Sequence, residues 1–463
     1  MPDSVILVDF GASRVKCVQW SYTGQRVIAS VECASPIARY GTTGAVELEP
    51  EAYWNAFLET AGTLSQQAPD VEDIWLCTEM HGCMLVDTDS PTPLTPYISW
   101  QDQRASFAVP GARSTLDDLQ VHATDFLHHT GMRLRSGLPG PNLIHMARKG
   151  SLSRAARFAT LSDWLMLRGG EREPQCHLTL AAGTGLYSLV ERAWLPTLFA
   201  GSGTDLSGVQ FPRISTLAHP IGHIRLAGRS LRVWGGIGDM QAAAHGGTFP
   251  QGSDILINLG TGSQVIAITP QGVAGVDRRT SATGQEFFAV THIPSGRALN
   301  VFASFLDESA ALGGGTAFFW KLFSELKAQD VLHAAPSVDM NVFDAAWKYA
   351  GGGRIGGIHE HQFHPRNLVL AIASSWLHQY AEALASINPQ HPSATFLLTG
   401  GLPRRAAFIP AVLEQLLKRR CIMPDLRTGE DTLDGLLSLA EHQRSADQST
   451  FHTPNTRHRN ETL

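Results

Sequence analysis

The feature that most constrains the fold is a short motif that occurs twice in the chain. Its two copies occupy residues 6–13 (ILVDFGAS) and residues 255–262 (ILINLGTG). Each copy is an apolar strand that ends in Asp or Asn, followed by one bulky residue and a Gly-led turn of small or hydroxylic residues. A repeat of this kind predicts two related lobes that face each other. The length of 463 residues agrees with two lobes, because a single hydrophobic core stops growing at about 250–300 residues.

The order of strand and helix patterns predicts an α/β protein. Short β-rich runs separated by turns predict an antiparallel meander with strands at residues 5–9, 15–20 and 26–31. Beyond the meander, the predicted helices are residues 50–64 and 368–384, and the predicted strands are residues 74–77, 231–234 and 394–399.

We predict a first lobe at residues 1–248, a second lobe at residues 249–440 and a polar tail at residues 441–463. The boundary between the lobes falls just before the second copy of the motif. The tail is rich in Gln, Ser, Thr, Asn and His and has too few apolar residues to fold by itself. We therefore expect the tail to be frayed.

The composition excludes several classes of partner. The formal net charge is -6 and charged residues make up 17% of the chain, with no basic run typical of proteins that bind nucleic acid or an anionic membrane. The chain has no apolar stretch of about 20 residues and no start that resembles a signal peptide. Six cysteines without a CxxC pair indicate reduced thiols. We predict a cytoplasmic protein that binds small molecules, and a homodimer stays open as its assembly.

Three Gly-containing turns, near residues 11, 261 and 400, each follow an apolar strand. Backbone N–H groups that converge at such turns bind phosphate oxygens, and small side chains allow the phosphate to approach closely. The GxxxxGK[ST] spacing of a P-loop is absent, so the pattern favours a nucleotide site of another type. The alternative is that these glycines only make hairpins.

Two aspartates stand next to Gly-rich turns. Asp9 ends the first strand of the motif, where a carboxylate can hold Mg²⁺ directly or through water; the alternative is that it accepts hydrogen bonds from the turn. Asp239 lies between a Gly-rich bend and an Ala-rich helix. It is either a helix N-cap or the general base that accepts a proton from an attacking hydroxyl in phosphoryl transfer.

Polar and aromatic groups cluster after two further strands. The two strings are residues 77–82 (CTEMHG) and residues 100–104 (WQDQR), and their side chains suit a polyhydroxylated ligand. The alternatives are that Asp102 and Arg104 form a surface ion pair of small energetic value and that His81 is a core histidine.

Together these segments resemble the FGGY family of carbohydrate kinases over residues 5–438. Six strings stand in the order of the family's motifs: residues 9–16 (first phosphate motif), 80–82 and 100–104 (substrate motifs), 238–241 (catalytic segment), 259–263 (second phosphate motif) and 398–401 (adenosine motif). The resemblance implies two actin-like (ribonuclease H-like) ATPase lobes with an interlobe cleft. It also implies ATP and Mg²⁺ as cofactors and transfer of the γ-phosphoryl group to a sugar hydroxyl.

The resemblance implies roles for individual residues. Asp239 would be the catalytic base, and Asp9 would hold the metal. The predicted sugar contacts are Met80, His81 and Asp239, together with Trp100, Asp102 and Arg104 of the second substrate motif. The predicted phosphate contacts are Gly11, Ser13, Thr261 and Gly262, and the predicted lining of the nucleotide site is Gly314, Gly400 and Gly401.

Two residues depart from the family's pattern. Ala12 stands where the family usually has Thr, which removes a hydroxyl from the first phosphate motif, and Glu79 replaces a usual Gln beside the sugar. The motifs favour a ketose such as sedoheptulose or xylulose as the substrate. Two other functions stay open: an actin-like protein that binds nucleotide without transferring phosphate, and a sugar sensor of weak catalytic activity.

Overall fold

A computed structural model describes residues 2–451 apart from residues 109–110, 153–155, 205, 248–253, 261, 269–275, 335, 344–346, 349–351 and 388–393. Across the residues it describes, no helix combines the length and the apolar character needed to cross a bilayer.

The first lobe is built around a six-stranded sheet with smaller sheets beside it. Its strands are β1 (Ser4–Phe10), β2 (Arg14–Ser21), β3 (Arg26–Ala34), β4 (Arg39–Tyr40), β5 (Val46–Leu48), β6 (Asp73–Thr78), β7 (Met84–Asp87), β8 (Tyr97–Ile98), β9 (Ala156–Ala159), β10 (Gln175–His177), β11 (Tyr187–Ser188), β12 (Ala193–Trp194), β13 (Val209–Gln210), β14 (Arg213–Ser215), β15 (Gly222–Leu226) and β16 (Arg229–Gly238). Its helices are α1 (Pro50–Phe57), α2 (Thr63–Gln67), α3 (Thr115–Leu119), α4 (Ala123–Thr130), α5 (Pro139–Arg148), α6 (Leu161–Arg168), α7 (Leu178–Ala182) and α8 (Asp239–Gly247).

The second lobe is built around another six-stranded sheet. Its strands are β17 (Ile255–Leu259), β18 (Ser263–Ala267), β19 (Asp277–Thr280), β20 (Glu286–Ile293), β21 (Ser337–Val338), β22 (Ile355–Gly356), β23 (Thr395–Thr399) and β24 (Arg420–Ile422). The helices that follow residue 247 are α9 (Gly296–Leu312), α10 (Phe319–Ser324), α11 (Ala328–Leu332), α12 (Pro365–Ile387), α13 (Gly401–Arg405), α14 (Phe408–Leu417) and α15 (Asp431–Phe451).

The two large sheets have the same topology over five of their six strands, and the sixth strand, β15 or β19, adds at opposite ends. The strand order is β15-β16-β6-β1-β2-β3 in the first sheet and β19-β20-β18-β17-β23-β24 in the second. In each, the two strands of the repeated motif pair antiparallel, and two further strands add in parallel to the first of them. The structure confirms the predicted α/β fold with two related lobes, and it confirms the predicted antiparallel meander β1-β2-β3.

Both faces of the first sheet are covered at β1, which explains why its residues 5–8 are all apolar. Successive strand residues point to opposite faces, so Ile6 and Val8 pack in one core with α1 and α6, while Val5 and Leu7 pack in another core with α15. All seven residues of β1 are buried. A strand covered on two sides has no solvent face and needs no polar alternation.

Helix α15 returns from the second lobe to the first. Its side chains Leu433, Leu436 and Leu437 pack against β1, β6 and β16, so this part of the predicted second lobe packs on the first lobe. The helix also continues past the predicted start of the tail at residue 441, where Glu441 accepts two hydrogen bonds from Arg427 at 2.9 and 3.0 Å. The frayed tail stays a prediction for residues 452–463, which lie outside the described residues.

Among the described residues, the contacts that join the lobes beside the cleft include an apolar cluster and a backbone hydrogen bond. A buried apolar cluster combines Met80 of the first lobe with Leu256 and Phe287 of the second. At a second contact, the loop after α4 binds the edge strand β19, where the N–H of Arg278 donates to the carbonyl of Gly131 at 2.7 Å. These contacts set the distance between the side chains that line the cleft.

Candidate active site

Three neighbouring strands of the first lobe end at the same edge of the sheet, and each end carries a carboxylate. In the parallel pairing, Asp9 of β1 is opposite Cys77 of β6, and Gly238 of β16 is opposite Thr78 of β6. Glu79 and Asp239, which follow Thr78 and Gly238, therefore lie at the same edge as Asp9. In open α/β sheets, ligands bind outside the carboxyl ends of the strands, so this edge is the natural place for a site.

Burial raises the pKa values of two of these carboxylates, Asp239 and Asp9, and the shift at Asp239 suits proton transfer. Asp239 is the first residue of α8; its burial and the nearby charge of Asp9 raise its pKa to about 7. Burial also raises the pKa of Asp9, although hydrogen bonds from Thr432 and Cys77 oppose the rise. A carboxylate that is neutral and charged in similar amounts near pH 7 is matched to proton transfer.

A cavity of about 750 Å³ opens between the lobes next to this edge. Its lining includes Lys16 of β2, Gly260 after β17, Gly296 and Asn300 of α9, Trp320 of α10 and Gly401 of α13. The volume lies in the range of about 300–1,000 Å³ that is usual for small-molecule sites. Parts of the predicted first phosphate, second phosphate and adenosine motifs thus meet on one cavity.

The first predicted phosphate turn is a tight hairpin between β1 and β2. The N–H of Gly11 donates to the carbonyl of Arg14 at 3.1 Å, and the hydroxyl of Ser35 donates to the carbonyl of Gly11 at 2.6 Å. Ala12 and Ser13 are exposed at the tip. The hairpin is therefore held at its base, and its tip is accessible to a ligand.

The second predicted phosphate turn joins β17 to β18. Thr261 lies outside the described residues. Gly260 accepts a hydrogen bond from the N–H of Gly296 at 3.1 Å, which places the turn against the start of α9. A Cβ added to Gly262 would meet no atom within 4 Å, so the backbone at this position faces open space.

The third Gly turn requires glycine at its first position. Gly400 has a φ of +95°, and a Cβ there would lie 2.3 Å from the carbonyl oxygen of Leu259, so a side chain would push β17 and β23 apart. Gly401 has no atom within 4 Å of a Cβ position and lines the cavity. Gly314 ends α9 with a φ of +80° and is exposed; among the described residues it does not contribute to the lining of the cavity.

Residues around the start of α15 cross the cleft, and sequence reasoning missed them. The Lys16 ammonium pairs with Glu430 at 2.5 Å, the Thr432 hydroxyl donates to Asp9 at 2.7 Å, and Asp431 accepts from the N–H of Gly400 at 2.9 Å. No local motif marks this segment in the sequence. Thr432, for example, binds Asp9, which is more than 400 positions earlier in the chain. Trp320 and Asn300 of the cavity lining were missed as well, since neither stands in a recognised motif.

The first substrate motif forms the wall between the carboxylates and α7. Met80 is buried; Cβ atoms added to Gly183 and Gly238 would lie 3.1 and 2.7 Å from its side chain. His81 has a φ of +64°, and its Nδ1 lies 2.5 Å from the carbonyl oxygen of Gly183. Because a carbonyl only accepts, Nδ1 carries the hydrogen and Nε2 presents a lone pair. Burial and the charges of Arg135 and Arg279 hold the pKa of His81 well below its usual range.

Glu79 lies next to this wall inside a box of aromatic rings. Its N–H donates to the carbonyl of Phe10 at 3.2 Å, and the Tyr53 hydroxyl lies 3.4 Å from its carboxylate. Burial raises the pKa of Glu79 to about 7; the charge of Asp239 adds to the rise, and donors on Tyr97, Tyr53 and Trp100 oppose it. A Cβ on Gly82 would lie 1.8 Å from the Tyr97 hydroxyl, so the position of Tyr97 depends on this glycine.

Asp102 and Arg104 of the second substrate motif bind each other rather than the open cleft. Asp102 is fully buried; it accepts hydrogen bonds from the N–H of Val46 at 2.7 Å and from the Arg104 guanidinium at 2.9 and 2.8 Å. Arg104 also donates to Glu47 at 2.6 Å. The surface pair considered from the sequence is thus a buried network that ties β5 to the loop carrying Trp100.

The second lobe brings positive charge to the side of the site near His81. Arg279 of β19 is buried; it donates to Asp277 at 2.9 Å and contacts the sulfur of Met132 in the first lobe at 2.6 Å. Burial and the charges of Arg135 and Arg279 hold the pKa of His292 well below its usual range. Nothing in the sequence marks Arg279 as part of a site, since only the docking of the lobes brings it close to the first substrate motif.

Solved structures of sugar kinases have the same fold. The gluconate kinase from Lactobacillus acidophilus superposes with a TM-score of 0.78 at 17% identity, over 96% of this chain and 90% of that one. The xylulose kinase from the same organism gives a TM-score of 0.77 at 17% identity over the same shares. The glycerol kinase of Plasmodium falciparum gives 0.73 at 14% identity over 96% of this chain and 90% of that one. These likenesses confirm the actin-like fold with two lobes.

Relatives by sequence carry kinase names as well. Apulose kinase of Pectobacterium atrosepticum is 23% identical over 280 residues, which are 57% of this chain and 54% of that protein. Glycerol kinase 5 of Danio rerio is 22% identical over 375 residues, which are 73% of this chain and 66% of that protein. The matches span between about half and two thirds of the length of these relatives.

A profile of the N-terminal domain of the FGGY carbohydrate kinases matches residues 4–246. That region, more than half of the chain, contains the β1-β2 hairpin, both substrate motifs and the start of α8. The family predicted from the motifs is therefore confirmed, and the chain belongs to the FGGY family of carbohydrate kinases.

Proposed function

We propose that the protein transfers the γ-phosphoryl group of ATP to a hydroxyl of a small sugar or polyol, with Asp239 as the general base. The observation that carries the proposal is the position of Asp239. It is the first residue of α8, at the sheet edge to which parallel pairing also brings Asp9 and the end of β6, and desolvation and the nearby charge of Asp9 raise its pKa to about 7.

Asp239 acts on the attacking hydroxyl. Its ionised carboxylate accepts the hydroxyl proton while the sugar oxygen forms a bond to the γ-phosphorus and the bond to the β,γ-bridging oxygen breaks to release ADP. A positioned base contributes a factor of about 10²–10⁴ to the rate. Holding the two reactants in line supplies much of the rest.

Asp9 is the residue we propose for Mg²⁺, directly or through water. The charge of Asp9 raises the pKa of Asp239, so a cation is favourable beside these two carboxylates, and oxygen ligands are those that Mg²⁺ prefers. When bound, the ion offsets negative charge on the phosphates. The Thr432 hydroxyl, which donates to the Asp9 carboxylate at 2.7 Å, fixes the orientation of Asp9.

The Gly turns are the proposed nucleotide contacts. Gly11 and Ser13 in the first hairpin, with Thr261 and Gly262 in the second, would donate backbone or hydroxyl hydrogens to phosphate oxygens. Gly400, Gly401 and Gly314 are proposed for the rest of the nucleotide site. Trp320 lines the same cavity and offers an aromatic face on which a base can stack.

The sugar contacts we propose are Met80, His81, Trp100 and Asp239. The Nε2 of neutral His81 would accept a hydrogen bond from a sugar hydroxyl, and Met80 would pack against the carbon chain. Asp102 and Arg104, which were predicted as direct contacts, are better supported as positioning residues because their polar atoms already bind Val46 and Glu47 or each other. The motif resemblance favours a ketose, and a homodimer stays a prediction.

The first experiment measures ADP release with Mg-ATP across a panel of ketoses, aldoses, sugar acids and polyols, including sedoheptulose, xylulose, gluconate and glycerol. We expect one class to stimulate ADP release, and we expect Asp239→Asn to lose about 10²-fold or more of kcat while the fold and sugar binding are kept. Asp70→Asn, an exposed change of the same chemistry, is the matched control.

Turnover like that of the unmodified protein in Asp239→Asn would remove this residue from the mechanism. If nucleotide binds but no member of the panel raises ADP release, a sensor or an actin-like nucleotide-binding protein explains the chain better than a kinase.

A further inference from the structure

The nucleotide-sized cavity contains an ion pair next to the first Gly turn. Lys16 and Glu430 both line the cavity, and the Lys16 ammonium lies 2.5 Å from the Glu430 carboxylate. Lys16 is the last residue of the string that resembles the first phosphate motif, and in the pairing of β1 with β2 it is opposite Asp9. The cation that a phosphate group would meet beside this turn is therefore already bound to an anion of the protein itself.

The backbone that carries Glu430 is fixed by the two residues that follow it. Asp431 accepts a hydrogen bond from the N–H of Gly400 at 2.9 Å, and the Thr432 hydroxyl donates to Asp9 at 2.7 Å. The Glu430 side chain, in contrast, is 44% exposed and has room to adopt another rotamer. A ligand that takes Lys16 from Glu430 therefore needs only a rotation of this side chain and no movement of helix α15.

The two charges of the pair also act at the residue proposed for Mg²⁺. The positive charge of Lys16 opposes the rise in the pKa of Asp9, whereas the negative charge of Glu430 adds to it. A phosphate group that reaches this place is attracted by Lys16 and repelled by Glu430. The ammonium has three hydrogens, but a phosphate and a carboxylate held by the same ammonium would lie side by side, and neighbouring like charges disfavour each other.

We propose that Glu430 is a competing ligand for Lys16, which holds the ammonium before nucleotide binds and is displaced by the phosphate of the incoming nucleotide. The inference rests on the proposed nucleotide site and adds a residue that determines its affinity. Neutralising Glu430 should tighten the binding of nucleotide, because Lys16 is then available without breaking an ion pair. The opposite role, in which Glu430 orients Lys16 for the phosphate, predicts weaker binding.

The expected gain in affinity is moderate because the pair is partly exposed. The side chains of Lys16 and Glu430 are 26% and 44% exposed, and ion pairs in such surroundings change an equilibrium by up to about 5-fold. We expect Glu430→Gln to lower the Kd of Mg-ADP about 3- to 5-fold at low salt. Since salt screens exposed charges, the gain should shrink at about 0.5 M NaCl.

Isothermal titration calorimetry of the full chain with Mg-ADP, in the absence of sugar, measures this effect independently of phosphoryl transfer. Adenosine, which has the base and the ribose but no phosphate, is the second probe, and its affinity is read from its competition with Mg-ADP. Glu430→Gln should leave the binding of adenosine unchanged, because adenosine has no group that takes Lys16 from Glu430. Glu360→Gln, an exposed change of the same chemistry in the second lobe, is the matched control and should change neither affinity.

A double-mutant cycle with Lys16→Met separates competition from simple repulsion. If Glu430 competes for Lys16, the gain from Glu430→Gln requires the ammonium and should fall below about 2-fold in the Lys16→Met background. If Glu430 only repels the phosphate, the gain is the same in both backgrounds. Lys16→Met by itself should weaken the binding of Mg-ADP, since the phosphate loses a charge-assisted hydrogen bond.

The outcomes for Glu430 and for the kinase function are distinct. An unchanged or weaker affinity for Mg-ADP in Glu430→Gln would overturn the exchange, as would equal gains with and without Lys16 or an equal gain for adenosine. In each of these cases the protein still binds nucleotide, and the proposed kinase function is unaffected. If the unmodified protein does not bind Mg-ADP at all, the proposed function itself fails.

Discussion

Replacing Gly435 by Ala tests how closely α15 must lie against the helix that begins with Asp239. Gly435 of α15 packs on α8, and a Cβ at this position would lie 1.8 Å from the carbonyl oxygen of Ala242. A Cβ at Gly246 would lie 2.7 Å from the backbone N of Gly435, so the crossing is tight from both sides. Real Cβ contacts are essentially never under 3.0 Å, and backbone atoms cannot rotate away as a flexible side chain can.

The prediction is tested by the sign of the change in the free energy of unfolding. In an ordinary helix, Gly→Ala stabilises by about 1 kcal/mol. At the crossing, overpacking costs typically about 1–3 kcal/mol and sometimes more, and the clash with a backbone carbonyl belongs to the upper end. We expect a net loss of about 2 kcal/mol, which lowers Tm by roughly 4–8 °C. Because Thr432 lies on the same helix and binds Asp9, ADP release should fall as well.

Thermal unfolding followed by circular dichroism measures the first effect, and coupled ADP release at 25 °C measures the second. Ser438→Ala, at a half-buried position of the same helix, is the matched control: it raises helix propensity without adding an atom and should keep or slightly raise Tm. A Tm for Gly435→Ala equal to or above that of the unmodified protein would refute the close packing of α15 on α8.

Three further predictions concern the site directly. Since the pKa of Asp239 is raised to about 7 and the base must be ionised, kcat/KM should fall about tenfold per pH unit below that value. A kcat/KM that stays constant between about pH 5 and about pH 7 would contradict this prediction. Gly82→Ala places a Cβ 1.8 Å from the Tyr97 hydroxyl and should raise KM for the sugar at least about tenfold, with ATP binding by calorimetry unchanged. Asp102→Ala leaves the buried charge of Arg104 with one partner fewer and should cost about 3 kcal/mol; an unchanged midpoint in urea would disprove the network.

Local patterns predicted the parts of the site that are made by adjacent residues. The hairpin at Gly11 and the third Gly turn are encoded within a few residues, because strand patterns end where glycine allows a sharp turn. The repeated motif also predicted the duplicated sheet topology, since each copy brings its own antiparallel pair. Asp9 was singled out because it ends a strand beside a Gly-led turn, and Asp239 because it stands between a Gly-rich bend and an Ala-rich helix.

Contacts between distant segments were beyond the reach of the sequence. Glu430, Asp431 and Thr432 bind both lobes, but no local pattern distinguishes them from a loop and a helix start. Arg279 reaches the first substrate motif only through the docking of β19 on the loop after α4. The burial of Asp102 was missed for a related reason, since its partner Val46 comes from a strand of three residues.

By itself, the amino-acid sequence determined the α/β class, the two related lobes and the order of the family's motifs, and it singled out Asp239 as a candidate base, because periodicity, Gly turns and strand ends are local properties. Only the tertiary structure decided which carboxylates act on one another. Parallel pairing of β1, β6 and β16 brings Asp9, Glu79 and Asp239 to one edge of the sheet, where desolvation by the surrounding protein raises the pKa of each. Proximity in a medium of low dielectric sets the pKa of each group, and neither proximity nor burial can be read from a linear chain.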